Sequence, residues 1–439
     1  MDSSYISTLF DLIASPYGLL GIVMLLLILE RAKKSPRLAW LLFSVCCFAA
    51  SLGKYEDEWI KQPPPLVFPL EQLRETGRPL TIILLTLLLL LGLQTRNGWR
   101  RLLIPQPIQY LIMVQAAIFL KTAIYGDIGF ALQAALTFGA VVQMVRLGPA
   151  RWLQDGYNFY LGVWAIAMVG VIFTFANAYQ GVFNMQALAF VQGRFQGTTA
   201  NAQHAAVLLA GTIPCFMFII ESHKKWNLFK VFWIANLCLV SYFLFLTGSR
   251  TGAIMGVASI LFFYRQKVGT LIRLGLFAGI VLSLFLPFLA PDLLTSASVN
   301  NRYLSGGNTR EGAWTGMWNS FISYPLFGAP LEGGRLGFGE NSWLAAGSTT
   351  GLMGFIPLVM MGLGCLRIMF QLNSLSNRKP GYFLHTSTII SGLACFISGS
   401  FTEAVFLGNL TFPVMALLMY LSLGKYLIDV DYVESQTLL

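Results

Sequence analysis

NAQHAAVLLAGTIPCFMFII, residues 201–220, is followed after a gap of six residues by NLFKVFWIANLCLVSYFLFL, residues 227–246. Each run is about as long as an α-helix must be to cross the hydrocarbon of a bilayer, roughly 20 residues. Neither alternates with period two, so neither reads as a strand of a transmembrane β-barrel. The gap between them, ESHKKW, carries both charge and tryptophan, the composition of a membrane boundary.

Working outward, comparable apolar runs lie at 9–29, 38–53, 79–95, 102–120, 128–145, 157–178, 251–264, 274–290, 348–366, 383–401 and 405–423, giving thirteen candidate spans with these two. The runs at 38–53 and 251–264 are short for a span, so twelve to fourteen transmembrane helices are expected. Composition agrees. Of 439 residues, 56% are hydrophobic and 11% charged, against about 25% charged in an ordinary soluble domain. Such a chain cannot cover a water-facing surface, which excludes a soluble enzyme, a disordered protein and a disulfide scaffold. The fold class expected is an all-α polytopic membrane protein.

The net charge of +10 would suggest nucleic acid in a soluble chain; here topology accounts for it, and no nucleic-acid partner is expected. With RAKKSPR at 31–37 set on the cytoplasmic side and the spans alternating, the inside connectors hold 19 of the 29 basic residues and 6 of the 19 acidic ones. The positive-inside rule then places the N-terminus outside and the C-terminus inside. The start of the chain lacks a basic stretch before its first apolar run, so no cleavable signal peptide is expected. All six cysteines fall inside apolar runs and read as small core residues. Three outside connectors are long: 54–78, 179–200 and 291–347. The last is rich in glycine and holds Trp314, Trp318 and Trp343; the tail, 426–439, is short and polar. A long ordered loop tends to carry function.

Five outside cations, Arg194, Arg250, Arg302, Arg310 and Arg335, are all arginine, whose planar fork of donors suits phosphate or carboxylate. Arg194 lies in VQGRFQGTTANAQHAA, where Thr198–Asn201 precede a helix start and His204 falls in its first turn. A helix N-terminus there could bind an anion. Arg250 lies in FLTGSRTGAIMG, at an outer boundary between two runs, where it could also cap the helix before it. Arg302 and Arg310 lie in NNRYLSGGNTREGAWTGMW, and spacing by four puts Arg310, Trp314 and Trp318 on one helix face, which could lie on the membrane surface with tryptophan at headgroup depth. Glu340, followed by Asn341 and Ser342 before the next apolar run, is a candidate general base, and Glu403 a weaker one. Three histidines and no acidic DxD motif in an outside connector leave no metal site in view.

These motifs, in order, resemble the O-antigen ligase and O-antigen polymerase family of bacterial inner-membrane glycosyltransferases. The resemblance runs over about residues 180–425. It rests on Arg194 with Gly197 and Asn201; Leu246–Arg250 with Gly252; Arg310, Trp314 and Trp318; Tyr324–Gly328; and Glu340–Leu344 with Gly351 and Gly354. It implies a GT-C-like fold in which helices at 1–180 precede a core at 181–425 that includes a periplasmic loop at 291–347. It implies a donor glycan carried on undecaprenyl diphosphate, inverting transfer without metal or cofactor, a bilayer around the chain and a chain-length regulator as a further partner. Arg194, Arg250 and Arg302 would hold the diphosphate, with Arg310 stabilising its leaving charge and Glu340 as base. Asn201, His204, Asn341, Glu403 and Trp314 would support them. Many members carry histidine where Glu340 stands, a departure that puts a polymerase of O-antigen or exopolysaccharide repeat units ahead of a ligase acting on lipid A-core. A transporter of lipid-linked glycans is the reading from another class; it would more often show two related halves with charges at the midplane, and neither is seen.

Overall fold

A computed structural model describes residues 26–27, 30–31, 35–52, 66–74, 105–124, 157–183, 190–191, 194–199, 201–269, 310–330, 340–407 and 412–437. The expected spans at 79–95, 128–145 and 274–290, and nearly all of 9–29, lie outside these residues. The described chain is mostly helical: α1 (Pro36–Ser51), α2 (Gln106–Ile124), α3 (Tyr157–Phe183), α4 (Ala202–Ser222), α5 (Leu228–Leu246), α6 (Arg250–Phe263), α7 (Glu311–Ser323), α8 (Ser342–Thr350), α9 (Leu352–Arg378), α10 (Phe383–Ser400) and α11 (Phe412–Thr437). A two-residue antiparallel rung, β1 (Phe190–Val191) against β2 (Arg194–Phe195), precedes α4.

Among the described residues six helices are long and apolar enough to cross a membrane: Phe159–Val182, Ala202–Ser222, Leu228–Leu246, Leu352–Arg378, Pro380–Ser400 and Phe412–Tyr432. The protein is a multi-pass membrane protein. Helix α4 is its centre, buried almost continuously from Ala205 to Ile219 and packed by α3, α5, α6, α10 and α11. Helix α5 buries only the stripe Trp233, Asn236, Val240 and Leu244, while Phe229, Leu239, Tyr242 and Phe245 point outward. An apolar face of that size needs hydrocarbon, not water, beside it. Lipid tails are as apolar as leucine, so close packing rather than the hydrophobic effect must hold the helices together. A Cβ on Gly252 would lie 2.6 Å from that of Ala206 on α4, and one on Gly399 would lie 2.5 Å from Met255 Sδ on α6.

One end of the bundle is tied by polar groups. Arg265, just past α6, donates to Asn373 (2.8 Å) and Ser376 (2.8 Å) on α9 and to Ser387 (2.6 Å) on α10. Arg378 and Lys379 each lie 3.0 Å from Asp431 on α11. Alternation of the spans predicts all four charged groups on one side, and the four share one end. The expected polar tail at 426–439 is helical as far as Thr437, with Asp431 as the anchor.

Two boundaries also differ. The apolar run 348–366 is not one helix: the chain breaks at Gly351, so α8 belongs to the segment read as loop 291–347, which also contains α7. And α9 continues through Arg367 to Arg378, leaving a connector of a few residues where a longer one was expected. Among the described cysteines, Cys47, Cys215, Cys365 and Cys395 are buried, Cys238 faces out, and no disulfide bond joins any of these five to one another.

The break at Gly351 has a local cause. Gly328 (φ +74°) and Gly351 (φ +60°) occupy the left-handed region that favours glycine. A Cβ on Gly328 would lie 2.3 Å from the Thr349 carbonyl carbon, and one on Gly351 would lie 2.4 Å from that of Leu326. The segment Tyr324–Ala329 therefore presses on the α8–α9 junction, backbone to backbone. Leu352 N donates to Pro325 O (2.7 Å) and Ala329 N to Ser348 O (2.8 Å). Lys121, buried near the end of α2, donates to the carbonyls of Phe327 (3.3 Å), Ala329 and Thr349. An ammonium is a fitting partner for the exposed carbonyls of a helix C-terminus.

Candidate active site

At the opposite end, four chain segments meet around Arg310, which immediately precedes α7. Its Nη2 lies 2.5 Å from Glu403 Oε1 and its Nε 3.1 Å from Glu340 Oε2. Its Nη1 donates to Thr402 O and reaches Thr251 Oγ1 at 3.5 Å. Thr251 in turn donates to Glu403 Oε1 at 3.3 Å. Glu340 Oε2 is buried and, although ion-paired, accepts no aligned hydrogen bond from the described residues. The side chains of Arg310 and Glu403 are 17% and 13% exposed, that of Glu340 39%, so the cluster has a closed and an open carboxylate.

The folding of each segment is local. Asn341 caps α8, its Oδ1 accepting from Trp343 N (2.9 Å) and Leu344 N (3.0 Å), and its Nδ2 donates to Phe401 O (2.8 Å). Ser342 Oγ donates to the Glu403 carbonyl (2.8 Å). Two adjacent residues thus join the start of α8 to the turn after α10, and with it Glu340 to Glu403. Trp343 Nε1 donates to Ser400 Oγ (3.1 Å) and its ring lies against Phe401.

Two other candidate cations, Arg194 and Arg250, stand at the same end. Arg194, in β2, donates through Nε to Thr247 O (2.8 Å), the C-cap of α5. Arg194 thus takes up at the end of α5 the capping role for which Arg250 is also a candidate in the sequence. Arg250 is the exposed first residue of α6, whose N-cap Ser249 accepts from Gly252 N (3.2 Å). Asn201 is the N-cap of α4, its Oδ1 accepting from the backbone amide of His204 (2.8 Å). The hydroxyl of Thr198, in the turn just before, is buried without a hydrogen-bond partner among the described residues. Trp314 turns inward, whereas Trp318, expected on the same face, is half exposed. Arg302 and Arg335 lie outside the described residues.

With both carboxylates ionised, Arg310, Glu340 and Glu403 sum to −1. Burial pushes the Glu403 carboxyl above its ordinary value; Arg310 opposes this and Glu340 reinforces it. The cluster is therefore suited to holding and releasing a proton. Thr402 does not stand out in the sequence; Ser342 does so only as a polar residue after Asn341 before an apolar run, and Thr251 only as the neighbour of Arg250. Among the described residues no three His, Cys, Asp or Glu side chains gather as a metal site. No protein-family model matches this chain, and no curated protein does.

Proposed function

We propose that this chain is a membrane-embedded glycan transferase that takes its donor from a polyprenyl diphosphate carrier, here undecaprenyl diphosphate, and polymerises repeat units on the periplasmic face of a bacterial inner membrane. The observation that carries the reading is Arg310 held between two carboxylates from distant segments, at the end of a spanning bundle where Arg194 and Arg250 also stand.

In this reading Arg310 is the positioning residue and Glu340, the open carboxylate, is the base. An acceptor sugar hydroxyl attacks the anomeric carbon as its proton passes to Glu340. The bond from that carbon to the diphosphate oxygen breaks, and the carrier diphosphate leaves with the electron pair. Attack opposite the leaving group inverts the anomeric centre. Arg194 and Arg250 supply charge-assisted donors to the diphosphate, whose developing charge is the largest demand of the step. Glu403 keeps Arg310 in place and lessens its pull on the donor, so the phosphate falls to the other arginines.

The test is purified protein in detergent or lipid, given a polyprenyl-diphosphate-linked repeat unit without added metal. A ladder of longer lipid-linked glycans supports polymerisation. Transfer only when a lipid A-core acceptor is added replaces it with ligation. Inactivity with every acceptor, beside uptake of the lipid-linked glycan into vesicles, overturns transfer in favour of transport.

A further inference from the structure

Helix α7 is not among the six helices fit to span, yet its surface is not that of a water-exposed helix. At 13 residues it is about 20 Å long, short of the roughly 30 Å of bilayer hydrocarbon. Successive residues advance by about 100°. Arg310, Trp314, Met317 and Phe321 then make one face, turned to the protein. Trp318 and Ile322 lie on the flank beside it, 50% and 59% exposed. Thr315, Asn319 and Ser323 follow on the next flank, exposed and polar. Going round the helix, the order is protein, apolar, polar, the pattern of a helix lying at a membrane surface. Glu311 falls on the apolar flank, but in the first turn, where the helix dipole favours it.

The apolar flank does not end with the helix. Tyr324, Leu326 and Phe327 continue it and are all exposed. The same segment is bonded to the first residues of α9 through Pro325 O and Leu326 O. Helix α9 is a span whose Met353, Ile356, Met360 and Leu363 are exposed at helical spacing. Backbone hydrogen bonds thus join the exposed apolar face of the span to the segment that carries the exposed side chains of Leu326 and Phe327.

We propose that α7 and the turn Tyr324–Phe327 are inserted in the bilayer, at the level where α9 leaves it, with Trp318, Ile322, Leu326 and Phe327 in contact with lipid chains. Arg310 stands at the other end of α7, about 12 Å of helix rise from Trp318. The charged cluster then lies beside the lipid headgroups, open sideways to a substrate that arrives in the membrane. This last step rests on the function proposed above; the insertion itself does not.

The experiment places single cysteines at 315, 319, 322 and 327 in the full chain carrying Cys46→Ser and Cys238→Ser. Each is labelled with a nitroxide and reconstituted in phosphatidylcholine–phosphatidylglycerol vesicles. Collisions with oxygen, which concentrates in hydrocarbon, are compared with those of a water-soluble nickel chelate. Relaxation by the chelate is expected to be lost at 322 and 327 and kept at 315 and 319, with oxygen ranking the sites in the opposite order. Equal access of the chelate at all four sites overturns the proposal. The Arg378 end supplies the control: a label at exposed Lys224 must read the chelate in full. Because no transfer is measured, the outcome is independent of the enzyme reading.

Discussion

Arg310 is closed on Glu403 at 2.5 Å, although 93 residues of chain separate them. Both are mostly buried, and the energetics follow from that. Removing one partner of a buried pair leaves the other charge without compensation, at about 3–5 kcal/mol, whereas replacing both by apolar groups is often neutral.

Arg310→Ala is therefore expected to lower the thermal unfolding midpoint in detergent more than the double variant Arg310→Met with Glu403→Leu. Both should lose transfer. A double variant less stable than either single one would contradict the pairing.

The pH response has a definite sign. The folded protein holds the Glu403 proton more tightly than the unfolded chain does. Its contribution to stability is thus fully present below the ordinary carboxyl value of 4.5 and is lost as pH rises through the raised folded value. Stability against pH, measured for the parent and Glu403→Gln, should show a downward slope above 4.5 that the variant lacks.

Gly328→Ala and Gly351→Ala should both destabilise. Left-handed backbone alone costs of order 1–3 kcal/mol for a residue unsuited to it, and here a methyl also meets backbone at 2.3 and 2.4 Å. Gly316→Ala, on α7 with nothing within 4 Å of the added carbon, should instead gain about 0.5–1 kcal/mol from helix propensity. Thermal unfolding of the three variants tests the opposite signs.

Lys121→Met keeps the stem and removes three donors to carbonyls. A hydrogen bond to a charged group contributes about 1.5–3 kcal/mol, so the turn at 324–329 should loosen. Hydrogen exchange at the amides of Ala329 and Leu352 should quicken, while that of α4 stays unchanged.

Spans were the legible part of the fold. The runs 201–220 and 227–246 became Ala202–Ser222 and Leu228–Leu246 because membrane length and apolarity leave little choice. The break at Gly351 was hidden, since hydropathy is continuous across it and only the meeting with Gly328 imposes the left-handed turn. The helical end of α11 was hidden as well: its polar residues look like a tail until Asp431 finds Arg378 and Lys379. In the candidate site, Arg194, Arg310, Glu340 and Glu403 stood out as charges where charge is rare. Which of them pair did not, because sequence spacing carries no record of partners a hundred residues away. Asn341 was legible as a polar residue before a helix, but its second bond, to Phe401, exists only in the assembled bundle.

Lys121 also sets an order of construction. Its partners at Phe327 and Thr349 lie 206 and 228 residues further along. At roughly 5–20 residues per second of synthesis, they emerge about 10–45 s after the lysine does. Through that interval its ammonium has none of these carbonyls to bind. The final seat of the last turn of α2 is then settled late, by a segment made long after α2 itself. A ribosome stalled before residue 327 should hold a nascent chain whose Lys121 still reacts with aqueous amine reagents, and release past residue 349 should end that reactivity.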